Sequence, residues 1–244
     1  MALSLGVCGP VWAQNVQAKD LMPNATQSAE PSGKPSVGMI KVVTGLVNLQ
    51  TADGKNKFAG AGTKLNVGDI INTQAKSTTV LEFVDTTQVA LRPNTRFVVE
   101  NYEYQPEQPI ADKAEFKLVK GGLRTLTGLI GKRGSADAFS MKSETATIGI
   151  RGTGCYIEAS PKTVYFCLCY GTADIKPLAN PGLARSLTTT YHDMPMYISY
   201  DSSQPVLRPA PVINHRDSEL VLLEETVGRQ PPFVQKPAQE PSSY

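Results

Sequence analysis

Apolar and polar residues alternate in short runs through the middle of this chain, and Gly, Asn or Asp separates one run from the next. Successive side chains of a β-strand point to opposite faces of the sheet, so a period of two predicts strands with one buried face. No long helical pattern lies between the runs, which disfavours a parallel βαβ arrangement. The predicted strands cover residues 39–49, 63–65, 69–71, 79–84, 88–91, 96–100, 116–119, 122–127, 138–141, 147–150, 155–158 and 163–171.

A glycine followed by an alternating run recurs at Gly45, Gly122 and Gly171. This echo favours a coiled sheet, although its spacing is too irregular for a solenoid of stacked repeats. We therefore predict a mainly β fold, a β-roll or sandwich, with a C-terminal β-hairpin and one short α-helix.

Both ends of the chain differ in composition from the middle. Residues 1–13 carry a short apolar stretch that is typical of the end of a secretory signal peptide, and the alternative is a buried first strand, which Gly9-Pro10 disfavours. Proline and polar residues predict a linker at 14–37 and a disordered tail at 229–244. The body then divides into residues 38–158 and a C-terminal extension, 159–228. We expect an exported, periplasmic protein.

Charge and residue counts narrow the classes of function. The chain has 24 Lys+Arg against 22 Asp+Glu, a net charge of +2, so we expect no nucleic-acid partner. No run approaches the roughly 18–20 apolar residues of a membrane span, and none is expected in the mature chain. Only two histidines occur, and no paired carboxylates or activated nucleophile are visible. We therefore assign no catalytic residue and expect no enzyme.

The run Ala-Thr-Ile-Gly-Ile-Arg-Gly-Thr at residues 146–153 is the most specific of several motifs in the body. Together they resemble the FecR domain, named for the iron-dicitrate signalling regulator of Gram-negative bacteria. The resemblance covers about residues 38–158, half of the chain. The family-motif residues that we single out are Gly68, Asp69, Arg151, Gly152 and Thr153.

The resemblance implies a periplasmic β domain without catalysis of its own, which in the full regulators receives a signal from an outer-membrane receptor. Those regulators carry a cytoplasmic anti-sigma segment and a membrane span before the domain. We see neither here, so we expect a stand-alone exported form whose partner is an envelope or outer-membrane protein. Asp85-Thr86-Thr87 stands where the family usually has Asp-Gly-Ser. Because Thr86 tolerates a left-handed conformation poorly, we expect this turn to differ.

The motif residues also have simpler, structural explanations. Gly68-Asp69 is a turn in which the Asp69 carboxylate accepts from nearby amides. Arg151 either presents its guanidinium to an anionic ligand or pairs with an internal carboxylate such as Asp69 or Asp85, and we favour the pairing.

Three cysteines remain once Cys8 is removed with the signal. Cys167 and Cys169 share one face of a strand, because side chains repeat every second residue. A three-residue loop at 160–162 would place Cys155 opposite Cys167 and permit a disulfide, whereas a four-residue loop would put Cys155 on the other face. The odd cysteine indicates a reactive thiol, an intermolecular bridge or a metal ligand.

Both histidines, His192 and His215, fall in the same C-terminal part as Cys167 and Cys169. These four residues form a nitrogen and sulfur set suited to zinc, iron or copper. Their spacing matches no recognised zinc finger, and buried thiols in a strand are the more common explanation.

Residues 217–227 predict the helix. Asp217 or Ser218 can cap it, Leu220, Leu223 and Val227 recur on one face, and Gly228 suits the position after its end. We expect it to dock on the β body, or to lie across the sheet edge and hold His215 near the cysteine strand.

These patterns leave three functional hypotheses. The first is an envelope binding, scaffold or signal-receiving module that recognises a partner through loops or a sheet edge. The second is a metal- or redox-responsive sensor built on Cys155, Cys167, Cys169, His192 and His215. The third, an enzyme acting on envelope polymers, is the weakest, since no catalytic constellation is visible.

Overall fold

A computed structural model describes residues 35–201, 203 and 205–234. The predicted signal-like segment, residues 1–13, and residues 14–34 of the predicted linker lie outside the described residues, as do residues 235–244 of the predicted tail.

Fifteen strands and two helices occur in the described ranges. The helices are α1 (Leu129–Arg133) and α2 (Asp217–Thr226). The strands are β1 (Gly38–Thr44), β2 (Val47–Gln50), β3 (Asn56–Phe58), β4 (Lys64–Leu65), β5 (Ile70–Thr73), β6 (Thr78–Phe83), β7 (Gln88–Leu91), β8 (Arg96–Glu103), β9 (Lys113–Leu126), β10 (Phe139–Lys142), β11 (Ala146–Ser160), β12 (Thr163–Pro177), β13 (Arg185–Thr189), β14 (Met196–Ser199) and β15 (Leu207–Pro209).

All fifteen strands belong to one hydrogen-bonded sheet that coils on itself. Its main path runs β15-β14-β12-β11-β10-β9-β7-β6-β1-β4, while β2, β3, β5, β8 and β13 branch from it. Only the β9–β10 pair is parallel among the described strands. The first half of β9 pairs with β8 and β10, and its second half pairs with β7 and β11. The predicted mainly β class and coiled sheet are thus confirmed.

Glycines allow the long strands to change direction. Gly121, where β9 exchanges neighbours, has φ +85°, and a Cβ there would lie 2.6 Å from the Thr95 Cα. Gly171 in β12 has φ +96°, and its Cβ would lie 2.6 Å from the Gly152 carbonyl oxygen. Only glycine fits such positions without strain. Of the three recurring glycines noted in the sequence, Gly45 and Gly171 have positive φ. The third, Gly122, does not, and the residue before it, Gly121, has the positive φ instead.

Alternate side chains of the coiled sheet fill its interior. Phe116 lies at the centre, with ring centroids 4.8 Å from Phe83, 5.3 Å from Phe97 and 5.5 Å from Phe139. Each of these rings is almost completely buried. Burying one such side chain stabilises a fold by about 1.5–3 kcal/mol, so this aromatic cluster anchors the roll.

The bounds of several elements differ from those predicted. The run at 39–49 is two strands, because Gly45 has φ +76° and turns the chain between β1 and β2. The two runs predicted on either side of Gly121 form one bulged strand, β9. The two runs on either side of Gly152 likewise form one bulged strand, β11. The five-residue α1 was not predicted, because five residues are too few to show a helical period.

The C-terminal extension predicted at 159–228 is continuous with the rest of the sheet. The boundary after residue 158 falls inside β11, which pairs with β12 along almost its whole length. The first residues of the predicted tail, 229–234, also pack on the body, where the Arg229 Nε lies 2.8 Å from the Glu224 Oε2. That part of the disorder prediction is wrong, because a buried carboxylate and an aromatic pocket hold the segment.

Helix α2 begins and ends close to its predicted bounds. Its N-cap is Arg216 rather than Asp217 or Ser218, since the Glu219 carboxylate reaches back to the Arg216 backbone N–H at 3.4 Å. Leu220 and Leu223 are buried against the sheet, as their spacing predicts. Gly228 follows the helix with φ +68°, the left-handed conformation expected there.

Candidate metal centre

The register of the β11–β12 hairpin decides where the cysteines point. Ser160 pairs with Thr163, so the loop has two residues, Pro161 and Lys162, rather than the three that would bring Cys155 and Cys167 together. Cys155 therefore lies opposite Leu168, and Tyr156 lies opposite Cys167. A shift of one residue moves a side chain to the other face, which is why the pair cannot meet.

The predicted Cys155–Cys167 disulfide is accordingly not formed. All three cysteines in the described part of the chain are free thiols, and all three are buried. Cys155 packs in the interior of the roll, while Cys167 lies with Tyr156 and Tyr165 on the outer face of the hairpin.

On that outer face the structure brings together Cys167, Cys169, His192 and His215. One ligand atom from each residue lies within 4.8 Å of the other three. The Cys167 Sγ is 3.1 Å from the His192 Nδ1, and the His215 Nε2 is 3.3 Å from that same nitrogen. The four residues proposed from the sequence as a possible metal-binding set therefore lie next to one another in the fold.

His192 reaches the cluster from the loop after β13. Its backbone N–H donates to the Cys169 carbonyl oxygen at 3.1 Å, which ties the loop to β12. Its φ of +45° is unusual for a residue with a Cβ. The Nε2, on the side of the ring away from the cluster, lies 2.9 Å from the Asp217 Oδ1. With its proton on Nε2, His192 directs the lone pair of Nδ1 at the thiols.

His215 reaches the cluster from the segment before α2. Its Nδ1 is 2.6 Å from the Ile213 carbonyl oxygen, which can only accept, so the proton belongs on Nδ1 and the Nε2 lone pair faces His192. The ring stacks on Tyr156, with centroids 4.6 Å apart and 23° between the planes. Asn214, just before it, has φ +59°. Backbone strain of this kind is often found at functional sites.

The thiols and His192 shift one another's proton affinity. A hydrogen bond with Cys169 lowers the pKa of Cys167, and hydrogen bonds to both histidines act in the same direction against the effect of burial. The same Cys167–Cys169 bond, together with burial, raises the pKa of Cys169. Burial lowers the pKa of His192, but Cys167 and Asp217 more than offset it, so the pKa is raised. The pair of thiols thus holds one proton firmly and gives up the other readily.

Arg124 of β9 lies beside this cluster on the same face of the sheet. It pairs directly with Tyr156 in the ladder and its side chain is 2% exposed. Among the described residues none of its three side-chain nitrogens has a hydrogen-bond acceptor, and the nearest carboxylate oxygen, the Glu219 Oε2, is 3.9 Å from its Nε. Burial raises the pKa of the Cys155 thiol, and the charge of Arg124 opposes that rise. Donors of this kind cost free energy unless an anion faces them.

Helix α2 covers the cluster and Arg124. Glu219 on its first turn accepts from Arg92 at 2.8 Å, and Leu220 packs against Gly154 of β11. The buried Glu224 accepts from the Tyr170 hydroxyl on β12. Beyond the helix, Phe233 packs 6.1 Å from the His192 ring, centroid to centroid. Helix α2 and the residues up to Phe233 thus cover the site.

Two shallow cavities open beside His215. The larger, about 620 Å³, is lined by Arg92, Arg216, Ser218 and their neighbours. The smaller, about 280 Å³, lies over Tyr156. His215 lines the larger cavity, and Asn214 lines both.

The family-motif residues lie in turns and ladders rather than in the cluster. Gly68 has φ +90°, and the buried Asp69 accepts from the Asn66 backbone N–H at 2.8 Å. Arg151 does pair with a carboxylate, but the partner is Asp174 on the neighbouring strand β12, at 2.8 Å, rather than Asp69 or Asp85. Cross-strand proximity decides that partner.

The other two members of the motif shape the β11 bulge. Gly152 has φ +61°, and the buried Thr153 donates its backbone N–H to the Thr127 Oγ1 at 2.7 Å. The bulge shifts the register between Arg151 and Cys155, and it separates the two halves of the hairpin.

The turn expected to differ at Asp85-Thr86-Thr87 keeps a left-handed residue. Thr86 has φ +70°, so the expectation is wrong. The Asp85 carboxylate explains why, because it accepts from the Thr87 backbone N–H at 2.9 Å and from the Tyr102 hydroxyl at 2.7 Å. These hydrogen bonds hold the turn although threonine is poorly suited to it.

Reasoning from sequence missed three contributors to the site: Arg124, Phe233 and the role of Asp217 as the partner of His192. An arginine within an apolar run of strand residues was the available signal for Arg124. No sequence pattern pairs residues 192 and 217, since only the folded loops bring them together.

Comparison with known proteins gives three findings. The model of the family described as "FecR protein" matches residues 69–173. Curated proteins give no match to this sequence. Two crystal structures of a "putative anti-sigma factor" from Parabacteroides distasonis are similar, each with a TM-score of 0.44 and 11% identity.

Those two similarities cover 57% of this chain and 59% of the first structure, and 64% of both chains for the second. The chain thus spans less than two thirds of either structure. Neither helix in the described ranges has the length and apolar content to cross a lipid bilayer.

Proposed function

We propose, from the match of the FecR family model to residues 69–173, that the chain is an exported module of the cell envelope that receives a signal by binding another envelope protein. The family match is the observation that carries the proposal. The proposed location is the periplasm, and the module has no catalysis of its own.

A free sheet edge supports recognition by strand addition. Strand β3 pairs with β2 only. Just after β3, the Ala59 backbone N–H donates to the Val47 carbonyl oxygen of β2 at 2.9 Å. Pairing alternates along an antiparallel strand, so the backbone of Phe58 points away from β2. Its side chain is also 79% exposed. An extended segment of a partner could add to such an edge and cover the ring.

Photo-crosslinking in the native envelope tests this proposal. A photoreactive amino acid at Phe58 is expected to trap one defined envelope protein, whereas the same probe at Ile110, which is 84% exposed in a distant turn, is not. The variant Phe58→Pro removes the outward N–H and should abolish the crosslink from a neighbouring probe at Lys57. Equal crosslinking from Ile110 and Phe58, or none from either, would contradict the proposal.

The convergence of Cys167, Cys169, His192 and His215 favours a second candidate function, a metal-responsive receiver. Their positions next to α2 would let an ion alter the surface that a partner meets. Repeating the crosslinking after treatment with a membrane-permeable chelator tests it. A changed yield supports metal response, and an unchanged yield from metal-loaded and metal-depleted cells removes it.

A further inference from the structure

Two distances within the four-residue cluster are close to the edges of a coordination tetrahedron around zinc. Zinc bonds of about 2.0–2.1 Å to nitrogen and 2.3 Å to sulfur place tetrahedral nitrogen pairs about 3.3 Å apart and nitrogen–sulfur pairs about 3.5 Å apart. The His192–His215 separation is 3.3 Å and the Cys167–His192 separation is 3.1 Å. These two pairs would shift by a few tenths of an ångström around an ion, and the widest pair, which lies within 4.8 Å, would close by up to about 1 Å.

Both histidines are already oriented as ligands. The ring nitrogen that faces away from the cluster has an acceptor in each case, the Asp217 carboxylate for His192 and the Ile213 carbonyl for His215. Metal-binding histidines almost always have such a partner, which fixes the tautomer and leaves the opposite nitrogen to bind the ion. Two histidines packed merely as core residues would not require both inner nitrogens to face two thiols.

Arg124 supplies an independent observation. Its buried guanidinium has three nitrogens without an acceptor among the described residues, on the sheet face that carries Cys167. Two metal-bound thiolates would place negative charge on the sheet face that carries this guanidinium, which two neutral thiols do not.

We propose that Cys167, Cys169, His192 and His215 bind one zinc ion, and that this ion fastens the segment containing α2 to the sheet. The inference shares its residues with the metal-responsive candidate, but an ion can hold the fold together without any signal being passed. Four protein ligands leave no open position, which is the arrangement of structural zinc sites.

A closed set of two sulfur and two nitrogen ligands favours zinc over a bare iron ion. A tetrahedral S₂N₂ set is typical of zinc, and a bare iron ion has no preference for it. Binding forms four bonds and releases two protons, one shared by Cys167 and His192 and one from Cys169. The two thiolates then balance the charge of Zn²⁺, and no electron is transferred.

The ligands explain why α2 would respond to the ion. Two of them are tied to the start of α2 and two lie on β12. His215 directly precedes α2, and His192 is hydrogen-bonded to Asp217, the first helical residue. Cys167 and Cys169 lie on β12, inside the sheet. An ion bonded to both parts therefore links the helix to the strand, in addition to the contacts of Glu219 and Leu220.

Metal titration of the full chain tests the site. Protein stripped with a chelator is expected to bind one equivalent of Co²⁺ with the visible spectrum of a tetrahedral ion and a thiolate-to-metal band, and Zn²⁺ should displace it. Cys167→Ser and His215→Ala should weaken binding at least 100-fold, and Asp217→Asn by about 10–100-fold. The matched control is Cys155→Ala, on the other face of β11, which should leave affinity unchanged.

Three outcomes would overturn the assignment to zinc. These are no stoichiometric binding, an equal loss of affinity in Cys155→Ala, and a failure of Zn²⁺ to displace Co²⁺. Circular dichroism of each variant without metal shows whether it is folded, and His215→Ala, at a half-buried position, keeps the test open if Cys167→Ser does not fold.

Hydrogen exchange tests the fastening. Backbone amides of residues 220–226 are expected to exchange about tenfold more slowly, or more, when zinc is added, while those of β1 do not change. His215→Ala should remove the difference. Zinc binding without slower exchange in α2 would refute the fastening. Slower exchange of the α2 amides with zinc, combined with a crosslinking yield at Phe58 that does not depend on metal, would support this inference and exclude the metal-responsive function.

Discussion

Replacing Asp85 with asparagine is expected to destabilise the fold strongly, because its carboxylate is fully buried and accepts four hydrogen bonds. The donors are the Tyr102 hydroxyl at 2.7 Å, the Thr87 backbone N–H and hydroxyl, each at 2.9 Å, and the Ile130 backbone N–H at 3.0 Å. An amide has one acceptor oxygen, so its NH₂ group must face one hydroxyl and one backbone N–H whichever way it is turned. The hydroxyl can rotate to accept, but the backbone N–H cannot.

The magnitude follows from those bonds. A hydrogen bond to a charged group contributes about 1.5–3 kcal/mol, and one is lost, while the backbone N–H left without an acceptor costs about 1–3 kcal/mol, which gives about 2.5–6 kcal/mol. Removing a buried charge recovers part of this, so we expect a net loss of about 3–4 kcal/mol in the free energy of unfolding. Tyr102→Phe removes one bond and should cost about 1.5–3 kcal/mol. The double variant should cost less than the sum by about 0.5–3 kcal/mol, since both single changes weaken the bond between these two side chains.

Urea unfolding followed by circular dichroism measures all four proteins of this cycle. The m-value should stay constant, so that a shift of the midpoint reports stability. Asp137→Asn, at a carboxylate that is 84% exposed, is the matched control and should unfold close to the unchanged protein. A loss below about 1 kcal/mol for Asp85→Asn, or additive effects in the cycle, would refute the role given to this carboxylate.

Three further predictions concern other parts of the fold. Thr86→Gly should raise the Tm by about 2–4 °C in a thermal scan, because Thr86 has φ +70° and glycine adopts it without strain; an unchanged or lower Tm would argue against strain. Leu220→Ala should lower the free energy of unfolding by about 2–4 kcal/mol in urea and loosen α2, since Leu220 is 0% exposed; Leu222→Ala, at an exposed position, should do neither. Cys155, Cys167 and Cys169 should react with a thiol reagent only after unfolding, because all are buried; fast labelling of the native protein would contradict this.

Local pattern was enough to predict the class of fold and the members of the cluster. The period of two gave strands because side-chain alternation is a property of the extended backbone itself. The same alternation placed Cys167 and Cys169 on one face without knowledge of any neighbour. Residue type was enough to predict the other two members of the cluster, since His192 and His215 are the only histidines in the sequence.

The failures share one physical cause, which is dependence on contacts between distant residues. The partner of Arg151 was misassigned because Asp174 becomes its neighbour only when β12 pairs with β11. The segment 229–234 looked disordered because nothing local holds it, whereas Glu224 and the ring of His192 do so in the folded chain.

The sequence by itself determined a β protein with a soft-ligand set in its C-terminal part, because alternation and residue type are local properties. Only the tertiary structure decided that Cys155 faces away from Cys167, since a hairpin loop of two residues rather than three reverses the face. It also decided that Arg124 is buried with unpaired donors beside the thiols, because that burial comes from α2, almost 100 positions later in the chain. The face of β9, β11 and β12 that carries Arg124 and the thiols therefore becomes a buried site only when α2 packs over it.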